Sequence, residues 1–135
     1  MSFLLDTDVV SELRKRSPDP GVTAWFETVR PSELFLSSLT IGEIRLGIER
    51  LRRRDEIQAR AIERWLTGLR TLYRDRIVSV DAGIAEAWGR ISAAGVLPVV
   101  DGLLAATALA ADWTIVTRNA ADFQPSGVRV LNPWR

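Results

Sequence analysis

Asp6, Glu43, Asp101 and Asp122 lie far apart in the chain, and each stands near a point where one element gives way to the next. Brought together, four carboxylates repel one another, and in a half-buried site each resists ionisation. A divalent cation removes that conflict, and oxygen-only ligands suit Mg²⁺ or Mn²⁺. With a phosphate ester, such an ion orients the substrate, acidifies a bound water and stabilises the leaving oxygen, so no histidine base is required. The sequence leaves few other routes. It contains no histidine and no cysteine. That removes Ser-His-Asp triads, histidine-based acid–base nucleases, thiolate and imidazole metal sites, and disulfides. Lys15 is the single lysine among 18 basic residues, and no Gly-x-x-x-x-Gly-Lys run exists to cradle a nucleotide phosphate. Carboxylates, hydroxyls, arginine and a bound metal are what remain.

The acids need a scaffold, and the hydrophobic pattern describes one. Residues 3–5, 34–36, 77–80, 112–117 and 128–131 read as short strands. Between them, helices are expected over 9–14, 22–29, from Thr40 onward, 55–73, 81 to about 94, and 103–110. Asp19 and Pro20 form an N-cap and first helical residue, Asp81 caps a later helix and Gly95 ends it. Residues 103–110 are apolar on every side, the signature of a buried helix. The links between strands are too long for hairpins. The expected fold is a three-layer α/β/α sandwich with a mainly parallel central sheet of four to five strands, in one domain spanning 1–135. In such folds ligands bind beyond the carboxyl ends of the strands. Asp6 directly follows the first strand, and Glu43 falls in the first turn of the helix after the second. Asp101 falls at the start of the buried helix, and Asp122 in the loop after the fourth strand.

Each acid also has a purely structural reading. Asp6 and Asp101 stand where N-caps stand. Glu43 completes Thr40-x-x-Glu43, a capping-box pattern, and Asp122 sits in a polar turn. A carboxylate at a helix start can cap and still face a metal, and it is the joint placement that points to chemistry. Arg45, Arg50, Arg52, Arg53, Arg54 and Arg60 form a basic cluster able to hold phosphates. Glu49, Asp55 and Glu56 are interleaved with them and can pair at helical spacing instead. Trp25, Trp65, Trp88, Trp113 and Trp134 are scattered singly, as core or interface anchors are.

Four segments in order carry a resemblance: residues 4–11 (Leu-Leu-Asp-Thr-Asp-Val-Val-Ser), 38–47 (Ser-Leu-Thr-Ile-Gly-Glu-Ile-Arg-Leu-Gly), 101–108 (Asp-Gly-Leu-Leu-Ala-Ala-Thr-Ala) and 116–123 (Val-Thr-Arg-Asn-Ala-Ala-Asp-Phe), with Asn132-Pro133-Trp134 at the close. Over essentially its whole length the chain resembles PIN-domain nucleases, in particular the VapC toxins and their FitB-like relatives. The resemblance implies a Mg²⁺- or Mn²⁺-dependent ribonuclease, the toxin of a type II toxin–antitoxin system. It implies Asp6 and Asp101 as core metal ligands and catalytic residues, with Glu43 as third acid. The fourth acidic position falls at Asn119 in some members and at Asp122 in others; Asp122 is the expected direct or water-mediated ligand, with Asn119 a polar neighbour. Thr7 and Thr117 are expected hydroxyl contacts to metal-bound water or phosphate. Asp8 departs from the family's frequent asparagine and adds charge beside Asp6 or caps the helix. Arg45 and Arg118 are expected to border the pocket and hold RNA phosphates. The resemblance further implies a homodimer and a co-encoded VapB-like antitoxin in a hetero-oligomer.

Two alternatives share these residues. Asp6-Thr7-Asp8 also fits the opening motif of haloacid-dehalogenase-like phosphatases, but their downstream lysine and late acidic pair have no counterpart here. A PIN-like binding module without activity is the other, since function lives in the site and not the fold. A net charge of +1 argues against DNA binding by electrostatics alone. No bilayer-spanning apolar run and no basic n-region are present, so no membrane association and a cytoplasmic location are expected.

Overall fold

The structure, a computed structural model, describes residues 1–135. Strand β1 (Phe3–Leu5) is central and wholly buried. It is followed by α1 (Thr7–Arg14), α2 (Pro20–Thr28), β2 (Leu34–Ser37), α3 (Ser38–Arg52), α4 (Glu56–Leu72), β3 (Ile77–Val78), α5 (Ala82–Ala94), α6 (Val99–Ala111), β4 (Thr114–Val116) and β5 (Val130–Leu131). The five strands lie in the order β3-β2-β1-β4-β5. All four pairings are parallel; Leu5 pairs with Val116 and Phe3 with Leu34.

Alternation along these short strands creates two cores. Phe3, Leu5, Leu34, Leu36 and Val116 face one side and meet Val9 and Val10 of α1, Val22 of α2, Ile44 and Ile48 of α3, and Leu66 of α4. Leu4 and Ile115 face the other side and meet Leu104, Ala105 and Ala108 of α6, with Phe123 and Val128 closing the layer. Helix α5 packs on α6. A Cβ on Gly102 would lie 3.0 Å from the Trp88 indole, so the missing side chain lets that ring sit against α6 beside Asp101. The sandwich has α1–α4 on one face and α5–α6 on the other, as the sequence pattern implies. No single helix is long and apolar enough to cross a membrane.

The differences from the sequence reading lie at element ends and have local causes. Helix α6 begins at Val99 rather than 103, with Pro98 at its N-cap, so Asp101 is its third residue and not a cap. Helix α3 follows β2 without a break, because the Ser37 hydroxyl accepts the Leu39 N–H at 3.0 Å and starts it early. Glu43 therefore stands in the second turn, Thr40 is a buried interior residue, and no capping box forms between them. Asp112 adopts a left-handed conformation (φ 59°) as the C-cap of α6, which shortens β4 at its start. Asp19, Asp55 and Asp81 cap α2, α4 and α5 through their carboxylates.

Candidate active site

The site is built at the carboxyl edge of β1 and β4, where the two central strands end side by side. Asp6 follows Leu5 directly and caps α1, its Oδ1 accepting the Thr7 N–H at 2.8 Å. Its own N–H reaches across the sheet to the carbonyl of Val116 at 3.0 Å. The neighbouring strand continues into Thr117, whose hydroxyl donates to Asp6 Oδ2 (2.9 Å) and also lies 3.3 Å from Asp8 Oδ2. Asp8 Oδ2 is further held by the Arg118 N–H at 2.9 Å and by Asn119 Nδ2 at 3.4 Å. The Asn119 N–H in turn donates to Thr117 Oγ1 at 3.0 Å. One carboxylate oxygen of Asp8 is thus crowded with donors, while the other, Oδ1, is buried without any partner.

Three of the acids are pushed above their ordinary range. Burial, reinforced by the Asp8 charge, lifts Asp6 from 3.8 to about 6, against the opposing pull of the Thr117 and Thr7 hydrogen bonds. Burial raises Asp8 as well, partly offset by the Arg118 and Val9 N–H groups. Burial raises Asp101, and the charges of Asp122, Glu43 and Asp8 raise it further. Asp101 is thereby the residue that feels every other acid of the group except Asp6, which itself feels Asp101. Carboxylates from α1, α3, α6 and the 3-10 turn Ala120–Ser126 share one electrostatic neighbourhood.

Glu43 is exposed on α3 and accepts the Thr7 hydroxyl at 2.5 Å; Thr40 lies beneath, 3.5 Å from the same hydroxyl. The sequence pattern placed Thr40 in a capping box instead of beside the Thr7 hydroxyl. Its position three residues before Glu43, on the same face of a helix, was the available signal. Thr117 is fully buried, and its hydroxyl meets Asp6 and Asp8, so it orients both carboxylates. Thr7 likewise serves Glu43. Arg45 is engaged on another face of α3. Two residues beyond Glu43, it is about 200° further round the helix, where it bonds Glu49 (3.1 Å) and Glu63 of α4 (2.5 Å). Arg52 joins the same lattice with Glu49, Glu56 and Glu63, and Arg60 pairs with Glu56. That part of the basic cluster is a helix-to-helix ion-pair network. Arg118 stays at the site: its backbone holds Asp8, and its exposed guanidinium lies over the Trp134 ring, 5.5 Å from the centroid. From Thr7 and Glu43 a cleft of about 280 Å³ runs past Ser11, Arg14 and Arg54.

Oxygen is the only donor these residues offer, which suits a hard divalent cation. The unpartnered Oδ1 of Asp8 and the raised acids are the marks of negative charge lacking a counter-ion. No three of these carboxylates form a ready-made ligand cluster in this structure. Mg²⁺ keeps several waters and takes only one or two carboxylates directly.

Fold and site together define an α/β/α protein with an acidic centre at the carboxyl edge of a parallel sheet. The chain belongs to the PIN domain family, whose family model matches residues 3–124. It is 32% identical to the VapC ribonuclease Y4jK of Sinorhizobium fredii over 98% of this chain and 97% of that one. It is 30% identical to the toxin FitB of Neisseria gonorrhoeae over 98% of each. Among solved structures, FitAcB from Neisseria gonorrhoeae superposes with a TM-score of 0.90 at 29% identity, covering 98% of this chain and 99% of that chain. The run Asp6-Thr7-Asp8 thus opens a PIN domain and not a haloacid-dehalogenase-like phosphatase.

Proposed function

We propose that this protein is a metal-dependent endoribonuclease, the toxin of a VapBC-like toxin–antitoxin pair. The observation that carries the reading is the shared neighbourhood of Asp6, Asp8, Glu43, Asp101 and Asp122, in a chain alignable end to end with a VapC ribonuclease and with FitB. Asp6 and Asp101 would hold a Mg²⁺ or Mn²⁺ ion, with Glu43 and Asp122 reaching it directly or through water. Bound there, the ion supplies charge neutralisation at the phosphodiester and makes a water acidic enough to attack near neutral pH. Thr117 fixes the Asp6 carboxylate from the neighbouring strand, and Thr7 fixes Glu43 from α1. Asn119 and the Arg118 N–H hold Asp8. Arg118, Arg14 and Arg54 face solvent around the acids and would hold the phosphates flanking the scissile bond, a role for which the guanidinium fork is suited. The same surface would take a co-encoded VapB-like antitoxin, as toxin–antitoxin complexes are the solved neighbours of this fold. A homodimer accompanies that reading.

The test is cleavage of a mixed structured RNA by the purified protein, with Mg²⁺ or Mn²⁺ and with EDTA, beside Asp6→Asn and Asp101→Asn. Metal-dependent cutting that both substitutions abolish is the expected result. No cutting by the wild type, together with no heat of Mg²⁺ or Mn²⁺ binding, would leave a PIN-fold binding module.

A further inference from the structure

We propose that the last four residues, Asn132–Arg135, form a strap that positions the Arg118 guanidinium for RNA phosphate. The inference rests on the nuclease reading and adds a positioning element that lies outside the acidic motifs.

The chain leaves β5 at Leu131 and turns back over the loop that follows β4. Asn132 makes both halves of the link: its Nδ2 donates to the carbonyl of Arg118 (3.4 Å), and its Oδ1 accepts the N–H of Trp134 (3.0 Å). That turn places the Trp134 indole under the Arg118 guanidinium, 5.5 Å from Cζ to the ring centroid. No carboxylate forms an ion pair with Arg118, although Asp8 feels its charge. Its backbone N–H, meanwhile, holds Asp8. Arg118 is therefore tied at the N–H by Asp8, at the carbonyl by Asn132 and at the guanidinium by Trp134. An arginine side chain has many rotamers to lose on gripping a phosphate, and an aromatic face that already holds the guanidinium reduces that loss.

The far end of the strap is anchored where no acid of the site reaches. The Arg135 N–H donates to Asp19 Oδ2 at 3.2 Å, the oxygen that also caps α2 through Gly21 and Val22. Trp134 also packs against the main core. Gly21 leaves room for the crossing: a methyl there would overlap the Pro133 carbonyl oxygen and come within 2.9 Å of the Arg135 nitrogen. Backbone cannot yield as a flexible side chain can, so Gly21→Ala displaces the strap without touching Arg118 or any acid of the site. That gives a test at a distance from the site.

The experiment is binding of a short fluorescent single-stranded RNA in EDTA, by anisotropy over a range of salt, so that no cleavage enters. The proteins are wild type, Trp134→Ala, Trp134→Phe, Gly21→Ala, Arg118→Ala and the Trp134→Ala/Arg118→Ala pair, each checked for a cooperative thermal transition. Removing one arginine–phosphate pairing from a single-stranded complex lowers the slope of log K against log salt by about 0.7. Trp134→Ala and Gly21→Ala are expected to weaken binding about threefold or more and to flatten the slope in the direction of Arg118→Ala. Trp134→Phe, which keeps an aromatic face, should restore most of the affinity. The double variant should bind no worse than Arg118→Ala alone, because the strap acts through that side chain. In the metal-loaded reaction the strap variants should raise KM with kcat little changed. Wild-type affinity and slope in folded Trp134→Ala and Gly21→Ala, or a loss fully additive with Arg118→Ala, would overturn the strap while leaving the nuclease reading standing. Failure of the wild type to bind or cut RNA would remove both.

Discussion

Asp6 carries the clearest consequence of charge crowding. Its folded pKa of about 6 stands above the ordinary 3.8, so between those values the folded state holds a proton the unfolded chain has released. Metal-free stability therefore falls as pH rises from about 4 to about 6 and stays lowered above that, by on the order of 2 to 3 kcal/mol. In EDTA, Asp6→Asn should raise the urea midpoint at pH 7.5, and the gain should vanish near pH 4, where the wild-type carboxyl is itself neutral. An equal gain at both pH values would show that burial of charge is not the cause. Asp8 is the second contributor to the Asp6 shift after burial. Titration followed by carboxyl NMR in Asp8→Asn should therefore find the Asp6 pKa moved down from about 6. Asp8 and Asn119 face each other across 3.4 Å as a carboxylate and an amide. Exchanging them in the double variant Asp8→Asn/Asn119→Asp keeps the charge of the pair, and should retain more Mg²⁺-dependent activity than either single substitution.

Helix starts decide where the acids stand. Ser37 caps α3 from within the last residue of β2, and its side chain is fully buried. Ser37→Ala should lower stability by about 1 kcal/mol in chemical denaturation and loosen the turn that aims Glu43. Helix α6 has no side-chain cap and relies on burial instead: Leu104, Ala105, Ala106 and Ala108 are sealed from solvent. Leu104→Ala, next but two to Asp101, should cost about 2 to 5 kcal/mol, making it a far larger lesion than the cap. On the outer face, the ion pairs of Arg45 and Arg52 within α3 and across to α4 are partly exposed and screened by salt. Arg45→Ala should leave the salt dependence of RNA binding unchanged, since that guanidinium is engaged with Glu49 and Glu63. A reduced slope would return Arg45 to the substrate path.

For the molecule as a whole, the crowded acids oppose the fold as long as their charge has no counter-ion. A ligand that binds only the folded state raises its stability by mass action. Mg²⁺ or Mn²⁺ should therefore raise the thermal midpoint of the wild type, and Asp101→Asn should abolish the rise, because Asp101 is the acid on which the charges of Asp122, Glu43 and Asp8 converge. An unchanged response in Asp101→Asn would place the ion elsewhere.

Strand and helix order, the caps at Asp19 and Asp81, the buried character of α6 and the four acids were legible in the sequence, because each rests on local periodicity or on a residue beside an element end. The parallel sheet followed from link lengths. Residue roles that cross the sheet were not legible. The Thr117 hydroxyl meets Asp6 at a separation of 111 residues, and the contact exists because Leu5 pairs with Val116 and the two strands end level. A shift of one residue in that register would turn Thr117 to the opposite face. The commitment of Arg45 to Glu63, the orphaned oxygen of Asp8 and the seating of Arg118 on Trp134 depend in the same way on how elements meet. Spacing along the chain sets which side chains share an element and a face. Only packed layers set which faces meet, because hydrogen-bond register and side-chain volume across the interface are properties of both partners at once.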